Sequence, residues 1–105
     1  MDILQRIKQL VLRGRVGFAR KALEEMRSDG LRIDDVTESI ICAQTIAKTL
    51  RSKNPNRRYP GEKLYVIKSF SFDGTPIYTK GAIVRKPEGE VFYFLVSSKI
   101  VTFGD

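Results

Sequence analysis

Two short stretches in the second half of the chain combine hydroxyl groups with lysines. Tyr78 and Lys80 are separated by one residue, and so are Ser97 and Lys99. Because residues two apart in a β-strand point to the same face, each pair would present a hydroxyl beside an ammonium group. Ammonium groups stabilise a phenolate and the charge that develops on a phosphoryl group. The chain contains no histidine, so tyrosine and lysine would have to perform any acid–base chemistry.

The positive charge is concentrated in one part of the chain. Residues 39–86 hold ten of the nineteen Lys and Arg and two of the twelve acids. This stretch therefore has a charge of ten minus two, or +8, while the rest of the chain has nine minus ten, or −1, which together give the net +7. A polyanion is the expected partner, because neutralising phosphates releases counterions and gives affinity without reading sequence. Tyr59, Tyr65 or Phe72 could stack on an unpaired base. The candidate phosphate-binding residues are Lys48, Arg51, Lys53, Arg57, Arg58 and Lys80.

The composition bounds the class of protein. A chain of 105 residues predicts one domain over residues 1–105. A single cysteine excludes an internal disulfide and fits a reducing compartment, so we expect a cytoplasmic protein. Without histidine, a zinc site is not expected, and no cofactor is predicted. The longest purely apolar run is residues 91–96, so no association with a membrane is expected.

The hydrophobic pattern changes period along the chain. Apolar residues at helical spacing predict a helix that ends near Gly14, a second that ends at Gly30, and a third that begins at Asp34 or Asp35. Residues 15–18 and 45–51 look extended. Turn signals then separate three predicted strands at about 63–72, 75–86 and 90–100. The expected fold is α+β, with N-terminal helices packed on one face of a C-terminal antiparallel sheet.

The turn at residues 88–89 allows a prediction of which side chains face each other. If it is a two-residue turn, Tyr78 lies opposite Lys99, and Lys80 lies opposite Ser97. All four would then form one polar cluster on the face away from the helices. A bulge in this hairpin would reverse part of the register.

The Asp73-Gly74 pair predicts a second two-residue turn. Tyr65 would then lie opposite Ala82 on the same open face as Tyr78. Lys68 would fall among the apolar side chains that meet the helices, which is a local conflict. The other residues expected on that helix face are Leu64, Val66, Phe70, Ile77, Ile83, Phe92, Phe94 and Val96.

Three stretches of the chain resemble the MqsR toxins, which belong to the wider RelE-like group of bacterial toxins. The first runs from Ile7-Lys8-Gln9-Leu10-Val11 to Gly14 and continues with Val16, Arg20, Ala22-Leu23, Gly30-Leu31 and Asp34-Asp35-Val36. The others are Tyr78-Thr79-Lys80 and Val96-Ser97-Ser98-Lys99. The chain also resembles uncharacterised relatives that share the stretch from Lys48 to Ser52 and an Asp-Gly hairpin before residues 77–80. The resemblance implies a RelE-like α+β fold and a metal-independent endoribonuclease that cuts messenger RNA. It also implies a cognate antitoxin protein that holds the enzyme inactive.

The resemblance also implies roles for individual residues. Tyr78 and Lys99 match the tyrosine and a lysine that carry the activity of the family. Lys48 is the candidate for the other lysine, although Lys53 competes for that position. A glutamine that assists in the family falls near residues 62–63, where this chain has no glutamine.

Two other hypotheses use the same basic stretch. A non-catalytic nucleic-acid-binding module would need the lysines but not Tyr78. A protein-interaction domain would use its basic face to dock an acidic partner without RNA chemistry. The sequence predicts neither a cleavage preference nor an oligomeric state.

Overall fold

A computed structural model shows three helices followed along the chain by most of a five-stranded sheet. It describes residues 1–53, 55 and 62–102, so Arg57, Arg58 and Tyr59 lie outside the described residues. The helices are α1 (Ile3–Leu12), α2 (Arg20–Asp29) and α3 (Ile33–Cys42). The strands are β1 (Val16–Phe18), β2 (Lys48–Arg51), β3 (Lys63–Phe70), β4 (Pro76–Arg85) and β5 (Val91–Ile100). The predicted α+β class is confirmed.

Local capping sets the ends of the helices. Gly30 has φ +71° and ends α2, as the sequence predicted. The third helix begins earlier than predicted, because the Asp35 carboxylate accepts a hydrogen bond from the Arg32 N–H at 2.9 Å. Asp35 is therefore the third residue of the helix, within its first turn, rather than the residue at which it begins. Among the described residues, no helix combines the length and apolar character needed to cross a membrane.

The strand order is β1-β5-β4-β3-β2. Strands β3 to β5 form the predicted antiparallel meander, and β2, which was predicted only as extended, pairs antiparallel with β3. The expectation of a purely antiparallel sheet is wrong, because β1 pairs in parallel with β5. The Tyr93 N–H donates to the Arg15 carbonyl at 2.9 Å, and the Ala19 N–H donates to the Leu95 carbonyl at 2.8 Å. The sheet is therefore mixed.

The β3–β4 hairpin has a three-residue loop rather than the predicted two-residue turn. The Ser71 N–H donates to the Thr75 carbonyl at 3.0 Å around residues 72–74, and Gly74 supplies the left-handed residue with φ +88°. The extra residue shifts β3 by one position relative to the prediction. Tyr65 consequently lies opposite Gly81 instead of Ala82.

The β4–β5 hairpin also has a three-residue loop, but a β-bulge later removes the shift. The Lys86 N–H donates to the Glu90 carbonyl at 2.8 Å around residues 87–89. Near this loop the register is one position away from the prediction, with Gly81 opposite Leu95. Beyond it Lys80 lies opposite Ser97, so Val96 is the extra residue of the bulge. From that point onward the predicted register is confirmed.

The helices cover one face of the sheet. Ile77 and Ile83 lie on that face as predicted, whereas Lys68 and its alternate neighbours along β3 lie on the other face. Leu64, Val66, Phe70, Phe92 and Phe94 are therefore corrections to the predicted helix face. The core cluster comprises Ile7, Leu10, Val11, Met26, Val36, Ile40, Ala43, Tyr65, Ile67, Tyr93 and Leu95.

Gly81 is required by the close packing of Tyr93. A Cβ atom at position 81 would lie 2.7 Å from Tyr93 Cζ and 2.9 Å from the Phe94 carbonyl oxygen. We expect Gly81→Ala to lower the free energy of unfolding by about 1–3 kcal/mol, because the ring must move within a packed core. Urea denaturation measures the change. Equal stability of variant and wild type would contradict this packing.

Burial of Tyr93 makes stability depend on alkaline pH. Desolvation raises the pKa of its phenol well above the ordinary 10.0. Above pH 10 the unfolded chain can ionise this tyrosine while the folded chain cannot, so stability falls as pH rises, by about 1.4 kcal/mol per pH unit. We expect Tyr93→Phe to remove this share of the slope in urea denaturation between pH 9 and 11. Parallel curves for the two proteins would contradict it.

Candidate functional site

A row of three polar side chains crosses the centre of the face away from the helices. Tyr78 on β4 lies opposite Lys68 on β3 and opposite Lys99 on β5. The Lys99 Nζ atom is 5.2 Å from the centroid of the Tyr78 ring, which is a cation–π distance. The predicted pairing of Tyr78 with Lys99 is therefore confirmed. The phenol lies between two strand neighbours that both carry ammonium groups.

A second row of side chains lies beside the first on the same face. Lys48, Val66, Lys80 and Ser97 are in register across β2, β3, β4 and β5. The predicted pairing of Lys80 with Ser97 is confirmed. Lys48 and Lys80 are two strand spacings apart, about 10 Å, with the nearly buried Val66 between them. Two lysines thus extend the positive charge toward the β2 edge.

The strands of this face supply lysines and no acids, whereas Glu24, Glu25 and Asp29 of α2 line a cavity together with Lys99. We use the name lysine face for the outward side of the two rows, which carries Lys48, Lys68, Lys80 and Lys99 around Tyr78. The outward-facing positions described in β2 to β5 include no Asp or Glu. Like charges at this spacing repel one another, and a bound polyanion relieves that repulsion. The four lysines of the lysine face therefore carry the sign of charge that attracts a polyanion.

The structure separates the other predicted residues from the lysine face. Arg51 lies opposite Lys63 and alternates with Leu50, so it belongs to the helix side of β2. Lys53 is exposed but follows the end of β2. Of the two competing lysines, Lys48 is the one aligned with the rows. Tyr65 is only 9% exposed within the core, so the expectation that it presents its ring to a base is wrong.

Helix α2 holds the segment of β5 that carries Lys99. The Glu25 carboxylate accepts hydrogen bonds from Ser97 Oγ at 2.8 Å and from the Ser98 N–H at 3.1 Å. One turn later Asp29 accepts the N–H of Ile100 at 2.8 Å. Both carboxylates bind the edge of β5 beyond the short pairing with β1. Lys99 is therefore fixed on both sides, by β4 and by α2.

Sequence analysis missed Lys68 and the two carboxylates of α2. The face on which Lys68 lies depends on the length of the β3–β4 loop, and the residue types of that loop were the available signal. Asp73 Oδ1 accepts hydrogen bonds from Ser71 Oγ and from the Thr75 hydroxyl and N–H. These bonds lower the pKa of Asp73 below its ordinary 3.8 and fix the longer loop. No local signal identifies Glu25 or Asp29, because their partners lie about seventy residues away along the chain.

The described part of the chain contains no group of three or more His, Cys, Asp or Glu that could hold a metal ion. Comparisons of the chain with models of known protein families, with curated proteins and with solved structures give no match.

Neighbouring serines on β5 are expected to respond oppositely to the same substitution. Ser97 Oγ is bonded to Glu25, whereas Ser98 Oγ is buried without a partner among the described residues. We expect Ser97→Ala to lower the free energy of unfolding by about 2 kcal/mol, and Ser98→Ala to leave it unchanged or raise it by up to about 1 kcal/mol. Thermal and urea denaturation of both variants measure this. Similar losses in the two variants would contradict the assignment.

Proposed function

We propose that this protein is an endoribonuclease that cuts single-stranded messenger RNA at the lysine face. The observation that carries the proposal is the placement of Tyr78 between Lys68 and Lys99, with Lys80 and Lys48 in the next row. A phenol can transfer protons, and four ammonium groups on strand positions that include no acid suit a phosphodiester backbone. Without histidine in the chain, tyrosine and lysine are the candidates for proton transfer, and we propose Tyr78 for this role.

The proposed reaction is a transesterification within the RNA. The 2′-oxygen loses its proton and attacks the adjacent phosphorus, the bond from phosphorus to the 5′-oxygen breaks, and the 5′-oxygen gains a proton. The products are a 2′,3′-cyclic phosphate and a 5′-hydroxyl. Tyr78 serves as phenolate in the first proton transfer or as phenol in the second, and Lys99 and Lys68 stabilise charge on the phosphoryl oxygens. Because ammonium groups supply the positive charge, the scheme requires no metal ion.

The biological role that we propose is that of the toxin in a bacterial toxin–antitoxin pair. It is supported by the resemblance of the Tyr78-Thr79-Lys80 and Val96-Ser97-Ser98-Lys99 stretches to the MqsR toxins. N-terminal helices on one face of a mainly antiparallel sheet are consistent with a RelE-like fold, which we include in the proposal. The protein would act in the cytoplasm, and its partners would be messenger RNA and a cognate antitoxin protein.

A second candidate function is nucleic-acid binding without cleavage. It is favoured because this chain has Glu62 and Lys63, and no glutamine, at the position where the resembled family has an assisting glutamine. Lys63 lies opposite Arg51 on the helix side of the sheet, and Glu62 precedes the strand and is buried. Neither residue extends the lysine face. A module of this kind would use the same four lysines and would not need the Tyr78 hydroxyl.

Cleavage of an end-labelled single-stranded RNA in the presence of a chelator tests the proposal. We expect wild type to release fragments that end in a 2′,3′-cyclic phosphate. Tyr78→Phe removes only the hydroxyl and should slow cleavage by about 10²–10⁴-fold, the usual contribution of a positioned acid or base. Lys99→Met should slow it by about 10²-fold or more, because it removes charge at the reacting phosphate.

A matched variant separates the lysine face from general charge. Lys63→Met removes the same charge from the opposite side of β3 and should leave the rate of cleavage within about twofold of wild type. Absence of cleavage by wild type would contradict the proposed nuclease activity. Undiminished cleavage by a Tyr78→Phe, Lys99→Ala double variant would contradict it as well. Salt-dependent binding by wild type without cleavage would establish the second candidate instead.

A further inference from the structure

One aromatic side chain is exposed at the end of the lysine face. Phe70 is the last residue of β3 and is 58% exposed, while Val66 on the same face of the same strand is 3% exposed. Phe70 lies two residues from Lys68, so the two side chains share a face about 7 Å apart along the strand. The aromatic ring therefore lies in the row of side chains next to the one formed by Lys68, Tyr78 and Lys99.

The strand register also places Phe70 close to Tyr78. Phe70 lies opposite Pro76 on β4, and Tyr78 is the next residue of β4 on that face. Diagonal neighbours of this kind are about 7–8 Å apart between Cα atoms, within reach of aromatic side chains. The phenyl ring and the proline ring therefore form an apolar pair beside the charged row. A chain of nucleotides bound at the Tyr78 hydroxyl would extend over Phe70 in one direction and away from it in the other.

A surface on which ammonium groups lie beside an aromatic ring is chemically complementary to a nucleotide. The phosphate binds ammonium groups, and the base attached to it offers a flat apolar surface that stacks on an aromatic ring. Two other aromatic side chains of this sheet face, Phe92 and Phe94, lie toward the opposite end of β5 and are half-buried. Phe70 is thus the exposed aromatic side chain beside the two lysine rows among the described strands.

We infer that Phe70 is a stacking subsite for the base next to the phosphate held at Tyr78 and Lys68. The inference rests on the proposed function and refines its substrate: the RNA must be unpaired at that base. In a duplex the faces of the base are already stacked on its neighbours, so the ring of Phe70 has no surface to contact. The subsite selects single strands without reading sequence.

Binding of an uncleavable RNA tests the subsite independently of catalysis. A single-stranded 2′-O-methyl RNA of ten nucleotides lacks the attacking hydroxyl, and 2-aminopurine bases in it report stacking by fluorescence quenching. We expect Phe70→Ala to raise the dissociation constant of this RNA by about tenfold or more and to reduce the fluorescence quenching. The dependence of binding on salt should stay unchanged, because no charge is removed. Phe70→Trp should restore both affinity and quenching.

Phe72→Ala is the matched control for an exposed phenylalanine. Phe72 is 70% exposed in the hairpin loop beyond the end of β3, and its backbone N–H donates to Glu38 on α3 at 2.9 Å. We expect Phe72→Ala to bind like wild type. A second control, Lys68→Met, should instead lower the slope of affinity against salt concentration by about one.

The outcomes distinguish the two proposals. Equal affinity and quenching in wild type and Phe70→Ala, or equally tight binding of the same RNA in a duplex, would overturn the subsite and leave the nuclease standing. Loss of stacking in Phe70→Ala in a protein that fails to cleave would support the subsite and overturn the nuclease alone. A wild type that binds no RNA at low salt would overturn both.

Discussion

A single extra residue in β5 lets one strand supply both the core and the lysine face. Before the bulge at Val96, the odd-numbered residues Tyr93 and Leu95 point toward the helices. After it, the odd-numbered residues Ser97 and Lys99 point the other way, opposite Lys80 and Tyr78. In a regular strand these residues would all share one face, so either the core would lose two large side chains or Tyr78 would lose its lysine.

The neighbour of β5 along its outer edge changes at the same place. The part before the bulge pairs with β1, and the part after it is bound by Glu25 and Asp29 of α2. A bulge shifts which backbone N–H groups point outward, and the carboxylates of α2 accept the shifted pair. The helix therefore compensates for the altered pattern of the strand, and the position of Lys99 depends on packing between elements that are distant in sequence.

The lengths of the two hairpin loops and the bulge explain which parts of this arrangement could be predicted from the sequence. Helices and strands were predicted because their apolar periods are local. The two hairpins were assumed to be one residue too short, which reversed the predicted faces of β3 and of the first half of β5 and placed Tyr65 outside the core. The pairing of Tyr78 with Lys99 was predicted correctly because the unpredicted bulge cancels the error of the β4–β5 loop. The parallel pairing of β1 was not predictable, since three residues contain too little pattern to specify a partner so far away.

The carboxylates of α2 have a further effect on how molecules of this protein meet one another. An outer strand with unpaired N–H groups is a template on which a strand of another molecule can add, and such additions propagate into aggregates. Over the last part of β5 these donors are occupied by Glu25 and Asp29, and the bulk of α2 lies where an incoming strand would pair. A helix that anchors one lysine thus also closes this edge of the sheet to self-assembly.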